Sequence, residues 1–316
     1  MATAPTTGLI THPDCLGHRT PEGHPERVAR LTAVLDSLDT EEFQPLIRLK
    51  APLATREDLA LAHSPELVSF ILDEAAAQAG RGFVGIDADT VMSVGSSAAA
   101  LRAAGAVIRA VDGVMAGEFA NAFCPIRPPG HHAERDRAMG FCLFNNVAVG
   151  AHHARVKYGL TRIAVIDFDV HHGNGTQDIF FDDAGLFYAS THQSPLYPGT
   201  GGASERGASG NIVNAPLPPG ADGMMFRAAF ERMIFPALES FAPEFILISA
   251  GFDAHRCDPL AEMALDESDF AWATTEILRI AAKCCEGRVV SALEGGYDLG
   301  ALARSAKAHV RALMEA

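Results

Sequence analysis

Two aspartates and two histidines follow a run of branched apolar residues in segment 163–175, which reads IAVIDFDVHHGNG. Asp167, Asp169 and His171 share one side of an extended strand, because side chains alternate there with a period of two. A buried strand has no structural use for these groups, since burying an unpaired charge is costly. Carboxylate oxygens and imidazole nitrogens are ligands for divalent cations such as zinc. The spacing therefore predicts a metal site at the end of a strand, with a strand followed by a polar turn as the simpler alternative.

Asp253 is the candidate for a third ligand. It follows the apolar run 245–248 within the sequence Ser-Ala-Gly-Phe-Asp, where glycine lets the backbone turn beside a ligand. A catalytic zinc ion usually takes three protein ligands and leaves one position for water and substrate. Asp169, His171 and Asp253 would leave such a site neutral overall and able to polarise a carbonyl group.

A histidine pair and a tyrosine could complete this chemistry. His131 and His132 stand in the stiff sequence Arg-Pro-Pro-Gly-His-His, and imidazoles transfer protons near neutral pH. Two exposed loop histidines are the alternative, and the pair at 152–153, inside a predicted helix, shows that adjacency alone means little. Tyr297 follows a buried strand through two glycines, so its phenol could donate a hydrogen bond to an oxyanion.

The elements that must position these residues alternate along the chain. Apolar runs predict strands at 121–126, 162–167, 186–189, 245–249 and 288–293. Helical spacing predicts helices at 25–38, from Ser64, and at 93–117, 146–158, 222–241, 268–285 and 299–314. This alternation is typical of an α/β protein with a mainly parallel sheet and helices on both faces.

Polar clusters follow five of these strands. They lie at 127–132, 167–172, 190–192, 251–255 and 294–297. Ligands bind at the carboxyl ends of parallel strands, so the five clusters predict one crevice.

Composition and charge bound the class of protein. The 316 residues are 48% hydrophobic and 20% charged, and we expect them to form a single domain over residues 1–316. The net charge of −14 disfavours direct binding to nucleic acid, which relies on Lys and Arg. Six cysteines without metal-site spacing indicate reduced thiols. The N-terminus does not have the pattern of a signal peptide and no apolar run is long enough to span a membrane, so we expect a cytoplasmic protein.

Together these residues resemble the histone deacetylase superfamily, in particular its class II-like bacterial deacetylases and amidohydrolases with the arginase/deacetylase fold. The resemblance runs from about His12 to Leu302. Its motifs, in chain order, are 22–27 (EGHPER), 127–133 (RPPGHHA), 140–142 (GFC), 167–175 (DFDVHHGNG), 249–254 (SAGFDA) and 294–297 (EGGY). It implies zinc on the three ligands already chosen, and hydrolytic removal of acetyl or related acyl groups from the ε-amine of acyl-lysine.

The resemblance also implies the catalytic roles. His132 would act as general base and then general acid, and His131 as an electrostatic and hydrogen-bonding aid. Asp167 would pair with His131, and Asn174 with His132. Tyr297 would hold the carbonyl oxygen of the substrate.

Substrate-binding positions follow from the same resemblance. Phe141 and Tyr197 would form walls of an acyl-lysine tunnel, although Tyr197 stands where phenylalanine is common. Leu260 would lie near the mouth, and Gly140 would accept from the substrate amide. Arg27 would line an inner channel for product acetate.

A potassium site is a further expectation from the resemblance. It would use the backbone carbonyls of Asp167, Asp169 and His171 together with Ser190 and Thr191.

Other functions stay open at this point. An acetylpolyamine amidohydrolase would act on acetylated polyamines instead of acyl-lysine proteins or peptides, and would need acidic residues at the tunnel mouth, for which Asp87, Asp89 and Glu134 are candidates. A non-catalytic acyl-binding sensor would keep the fold without a general base beside an open metal position. A ureohydrolase of the arginase type would need more clustered Asp and His ligands than the sequence offers. The sequence leaves the oligomeric state open.

Overall fold

One parallel sheet organises residues 6–316, the part of the chain that the computed structural model describes. The strands are β1 (Thr7–Thr11), β2 (Ile47–Lys50), β3 (Val84–Gly85), β4 (Val91–Met92), β5 (Asn121–Cys124), β6 (Ile163–Asp167), β7 (Leu186–Gln193), β8 (Ile212–Leu217), β9 (Phe245–Ala250) and β10 (Val289–Leu293). Across these described residues, eight strands form the sheet in the order β2-β1-β5-β10-β9-β6-β7-β8. Every neighbouring pair in it is parallel, and β3 and β4 form a separate antiparallel pair. Residues 1–5, where the expectation of no signal peptide partly falls, lie outside the described residues.

Helices connect the strands. They are α1 (Val28–Ser37), α2 (Arg56–Leu59), α3 (Pro65–Ser69), α4 (Ala76–Ala79), α5 (Ser96–Met115), α6 (Asn146–Tyr158), α7 (Asn174–Phe180), α8 (Gly223–Ala229), α9 (Phe235–Phe241), α10 (Glu267–Cys284) and α11 (Leu299–Met314). The π-helical segments Phe70–Ala75 and Phe230–Ile234 join α3 to α4 and α8 to α9, and short 3-10 helices lie at Pro13–Gly17 and Glu41–Phe43. No helix within residues 6–316 combines the length and the apolar character that crossing a bilayer requires.

Both faces of the sheet are covered, which explains why its central strands are apolar throughout. Val165 and Leu247 pack into the layer that contains α5 and α6. Ile166 and Ile248, one residue further along β6 and β9, pack into the opposite layer with α10 and α11. Period-two alternation therefore divides the side chains of each strand between two cores.

The predicted fold class is confirmed, because the sheet is parallel and helices lie on both of its faces. The predicted crevice also has its structural basis, since β5, β10, β9, β6 and β7 are neighbours and four of the polar clusters lie at or just beyond their carboxyl ends. The fifth cluster, 190–192, lies within β7, because this strand continues to Gln193 and does not stop at the predicted residue 189. In register, Asp167 at the end of β6 stands opposite Ser190 on β7 and Ser249 on β9. Strands β1, β2, β3, β4 and β8 and helices α2 and α7 were not predicted from the sequence.

Candidate active site

Asp169, His171 and Asp253 converge at the end of the central strands. One ligand atom from each lies within 4.8 Å of the others, and all three residues are buried. Nδ1 of His171 lies 3.1 Å from Oδ1 of Asp169 and 3.1 Å from Oδ2 of Asp253. Backbone N–H groups hold the carboxylates, because Val170 donates to Asp253 at 2.9 Å and Gly295 donates to Asp169 at 2.8 Å.

Two glycines leave room for these carboxylates. A Cβ atom on Gly251 would lie 2.0 Å from Oδ2 of Asp169, and one on Gly295 would lie 1.9 Å from Oδ2 of Asp253. Burial disfavours a charge on His171, but its contacts with the two aspartates outweigh that effect and raise its pKa to about 10. The buried carboxylates thus require a compensating positive charge. A zinc-type cation supplies one, and it fits two carboxylates and one imidazole.

The histidine pair lies beside this cluster. The rings of His131 and His132 are 4.0 Å apart between centroids. Nδ1–H of His131 donates to Oδ2 of Asp167 at 2.9 Å, and Nδ1–H of His132 donates to Oδ1 of Asn174 at 2.8 Å. Both pairings implied by the resemblance are therefore present as contacts. In each ring, Nε2 is the nitrogen that remains for chemistry.

The two histidines have opposite electrostatic surroundings. Burial disfavours protonation of His131, but Asp169 and Asp167 outweigh it and raise its pKa well above the ordinary value. Burial lowers the pKa of His132 well below the ordinary value, and the neighbouring His131 and His171 lower it further. Paired groups whose pKa values are driven apart are suited to different roles in proton transfer.

Glu294 fixes the turn that carries the histidines. Its Oε2 accepts from the backbone N–H groups of Gly130 at 2.6 Å and His131 at 3.2 Å. Burial raises the pKa of Glu294 to about 7, although the nearby His131 opposes this rise. In the sequence, Glu294 stood out only as part of the motif 294–297, and no role was predicted for it.

Tyr297 reaches the site from the loop after β10. It is 8% exposed, and its ring packs edge-on against Phe141 with centroids 6.0 Å apart. Burial raises the pKa of Tyr297 well above its ordinary value, and Arg30 only partly offsets that rise. The phenol is therefore neutral and can donate a hydrogen bond.

A cavity of about 240 Å³ opens above these groups. Its lining residues are Asp89, His132, Gly140, Phe141, His171, Leu196, Tyr197, Leu260 and Tyr297. The structure thus brings the expected tunnel residues Gly140, Phe141, Tyr197 and Leu260 together with three of the chemical groups. The ring of Tyr197 packs edge-on against His132 with centroids 5.2 Å apart.

Phe141 adopts an unusual backbone conformation on the cavity wall. Its φ is +68°, a region that bulky side chains rarely occupy. Its N–H donates to Oγ1 of Thr90 at 3.0 Å, and its ring packs against His24 with centroids 4.8 Å apart. Backbone strain that neighbouring groups maintain is a feature of functional sites.

Arg27 does not occupy the inner position expected for it. It is exposed and lies at the N-cap of α1. The buried arginine of this segment is Arg30, whose guanidinium carbon lies 4.8 Å from the centre of the Tyr297 ring. Glu26 lies four residues earlier and pairs with Arg30 at 3.1 Å, so the (i, i+4) spacing of opposite charges was an available signal.

The acidic candidates for the cavity mouth fall in different places. Asp89 lines the cavity, whereas the exposed Asp87 accepts from the N–H groups of Asp89 and Thr90 in its own loop. Glu134 contacts Asn174 instead.

The residues expected to bind potassium come from the end of β6, the segment that follows it, and the adjacent strand β7. Ser190 is in register with Asp167. Oγ1 of Thr191 is buried and has no hydrogen-bond partner among the described residues. A potassium ion at this position stays a prediction.

Comparisons with known proteins agree with this geometry. A sequence model of the histone deacetylase domain matches residues 24–313. A probable deacetylase from Archaeoglobus fulgidus is 42% identical over 303 residues, which cover 94% of this chain and 83% of that protein. The histone deacetylase-like amidohydrolase of Pseudomonas aeruginosa is 39% identical over 301 residues, which cover 94% and 77%. Histone deacetylase 14, chloroplastic, of Arabidopsis thaliana is 41% identical over 317 residues, which cover 95% and 74%.

A solved structure extends the likeness to three dimensions. The crystal structure of the HDA15 HD domain superposes with a TM-score of 0.90 at 34% sequence identity, covering 98% of this chain and 88% of that one. The matched length, the identity and the shared fold lead to one conclusion. The chain belongs to the histone deacetylase family of deacetylases and amidohydrolases.

Proposed function

We propose that the chain is a zinc-dependent amidohydrolase that removes acetyl or related acyl groups from the ε-amine of acyl-lysine, with residues 1–316 as one catalytic domain. One observation carries the proposal. His132, His171 and Tyr297 line the same small cavity, and the remaining walls of that cavity are mostly apolar. The methylene chain of an acylated lysine suits such walls, and its amide would then meet a base, a metal ligand and a phenol.

Asp169, His171 and Asp253 would hold the zinc ion, since their ligand atoms already converge. When bound, zinc supplies Lewis acidity that polarises a carbonyl group and acidifies water. The glycines at 251 and 295 keep the carboxylates free of steric interference from the neighbouring backbone.

The other groups divide the proton transfer. His132, with its lowered pKa, is neutral and accepts a proton from the attacking water. His131, with its raised pKa and its hydrogen bond to Asp167, stays protonated and stabilises negative charge. Tyr297 donates to the carbonyl oxygen as negative charge develops on it.

Acetylpolyamines are the second candidate substrates. Asp89 lines the cavity, and no Lys or Arg is among the residues that line it. A carboxylate at that position favours a substrate with a second ammonium group. A non-catalytic acyl-binding sensor is less consistent with the site. Binding alone does not require a neutral histidine, hydrogen-bonded through Nδ1, beside the three candidate metal ligands.

The test compares substrates and tyrosine variants. Zinc-loaded protein is assayed on a fluorogenic acetyl-lysine peptide and on acetylspermidine. Tyr297→Phe is expected to lower kcat by about 100-fold, because it removes a hydrogen-bond donor to the developing oxyanion. Tyr158→Phe is the matched control, because the Tyr158 phenol donates a hydrogen bond to Asp112 on helix α5 and does not line the cavity. Faster turnover of acetylspermidine would move the assignment to polyamines, and inactivity on both substrates would reject the enzyme proposal.

The proposal includes a potassium ion held by Asp167, Asp169 and His171 together with Ser190 and Thr191. Its test is the deacetylation rate in potassium chloride against the same ionic strength of choline chloride. An unchanged rate and an unchanged melting temperature would remove potassium from the proposal.

A further inference from the structure

Asn174, which accepts a hydrogen bond from His132, also contacts Glu134, a residue with no role in the proposed proton transfer. Its side-chain N–H donates to Oε1 of Glu134 at 2.6 Å, while its Oδ1 accepts from His132. Other acceptors near this amide nitrogen are poorer, because the carbonyl of His132 lies at 3.5 Å and the sulfur of Met139 at 3.4 Å. Asn174 is only 5% exposed, so water does not readily replace them. Glu134 is thus the principal acceptor for a buried amide.

This contact decides which way the amide of Asn174 faces. If the amide turned over, its oxygen would meet the carboxylate of Glu134, and its NH₂ group would face Nδ1 of His132. Two acceptor oxygens at 2.6 Å repel each other, so the carboxylate holds the amide in one orientation. In that orientation Nδ1 of His132 must carry the proton, and Nε2 keeps its lone pair.

The side chain of Glu134 is not needed to hold its own loop. The backbone carbonyl of Glu134 accepts from Nδ1–H of the buried His63 at 2.9 Å, and its N–H donates to the carbonyl of Arg137 at 2.9 Å. The ion pair with Arg137, at 3.1 Å, joins a side chain that is 61% exposed, and such pairs contribute little to stability. The contact with Asn174 is therefore the main structural role left for this carboxylate.

We propose that Glu134 is a positioning residue, which orients Asn174 and thereby fixes the His132 tautomer whose Nε2 is free to accept a proton. The inference rests on the proposed function in one respect, that His132 is the base. It extends the His132–Asn174 pair to a chain of three residues that ends in a carboxylate near the surface.

The first test measures kcat and KM on the acetyl-lysine peptide for Glu134 variants, first alone and then combined with a substitution at Asn174. Glu134→Met removes the acceptor and is expected to lower kcat by about tenfold with KM unchanged, which is part of the rate that a correctly oriented general base contributes. Glu134→Gln keeps an acceptor oxygen and should retain most of the rate. Asp178→Asn is the matched control, because Asp178 accepts from the N–H of Arg135 in the same loop.

The background Asn174→Asp separates positioning from loop support. An aspartate at 174 has no amide to orient, and its carboxylate would lie close to that of Glu134 and be repelled by it. In this background Glu134→Met should raise kcat instead of lowering it. An equal loss of kcat in both backgrounds would overturn the inference, since a loop-supporting residue lowers the rate whatever stands at 174.

The second test does not need turnover. In zinc-loaded protein with ¹⁵N-labelled histidine, NMR should show His132 protonated at Nδ1, with the signal identified by its loss in His132→Gln. In Glu134→Met the Nε2–H tautomer should become populated. An unchanged tautomer in this variant refutes the inference, whereas a changed tautomer in a protein without deacetylase activity refutes the proposed function alone.

Discussion

Arg30 lies against the ring of Tyr297 and holds the loop that carries it. Its Nε donates to the carbonyl of Gly296 and one Nη donates to the carbonyl of Glu294, each at 2.5 Å. Its other Nη pairs with Glu26 at 3.1 Å. A single buried guanidinium therefore ties the loop after β10 to helix α1 and fixes the position of the phenol.

Replacing this guanidinium should loosen the loop. Arg30→Lys offers one point charge, which cannot bridge two carbonyls and a carboxylate with the fork geometry of arginine. We expect the free energy of unfolding to fall by about 2 kcal/mol, because a buried acceptor loses its partner. Urea unfolding and kcat measure the two effects. Arg27→Lys is the control, and a comparable loss in that exposed variant would contradict the assignment of Arg30 to this role.

Zinc binding should depend on the absence of a side chain at residue 295. The Cβ of Gly295→Ala would lie 1.9 Å from a ligand oxygen of Asp253 and 2.6 Å from one of Asp169. We expect zinc affinity to weaken by at least about tenfold, as measured by competition with a chromogenic chelator. Gly80→Ala is the control, since its Cβ would meet nothing closer than 3.5 Å. Full affinity in the first variant would mean that zinc does not use this cluster.

Removal of zinc should destabilise the fold. A ligand that binds only the native state stabilises it by about 2.7 kcal/mol when its free concentration is 100 times the Kd. Chelation should therefore lower the melting temperature, and added zinc should restore it. In Asp253→Ala the melting temperature should no longer respond to zinc, while Asp178→Ala, an exposed carboxylate on α7, should respond as the wild type does. A response retained in Asp253→Ala would place the zinc elsewhere.

His309, a buried histidine that is not one of the candidate zinc ligands, should make the free energy of unfolding depend on pH in the acid range. His309 pairs with Oγ1 of Thr274 at 2.6 Å and with Oγ of Ser291 at 2.8 Å, and burial lowers its pKa to about 3. An unfolded histidine titrates near about 6.5, so the unfolded chain binds more protons between these values. The stabilisation that the neutral, buried His309 provides is complete above about pH 6.5 and is lost as the pH falls from there towards 3.

The neutral variant His309→Gln isolates that contribution. Between about pH 4 and 6, its free energy of unfolding should fall less steeply with decreasing pH, by up to about 1.4 kcal/mol per pH unit. Urea unfolding at several pH values measures the slope for both proteins. Parallel curves would show that His309 is protonated equally in the folded and unfolded states.

The strand-end residues were predictable because they break an apolar run. Asp167 is the last residue of β6, Asp169 lies two residues beyond it, and Asp253 lies three residues beyond β9; both strands are buried along their whole length. That contrast exists in a single sequence and needs no knowledge of the neighbours. The strand-end rule then placed all the clusters at one edge.

Other features depend on neighbours that the sequence does not show. The apolar spacing of α1 identified its inward face, yet an arginine among these residues is usually solvent-exposed, so Arg30 was overlooked and Arg27 was chosen through the motif. The contact of Glu134 with Asn174 joins a loop to the first residue of α7, and only the folded sheet brings the two together. β2 was missed because it is a short edge strand of four residues with alternating burial.

The order of the sheet also decides when the active site can form in a newly made chain. β9 and β10 come last among the strands, but they lie between β5 and β6. A ribosome-bound chain that ends before β9 lacks Asp253 and Tyr297, and it leaves the facing edges of β5 and β6 unpaired. Such edges can pair with other chains, and non-local strand pairing is slow. Entry of the last two strands therefore completes the candidate active site and pairs the facing edges of β5 and β6 in the same event.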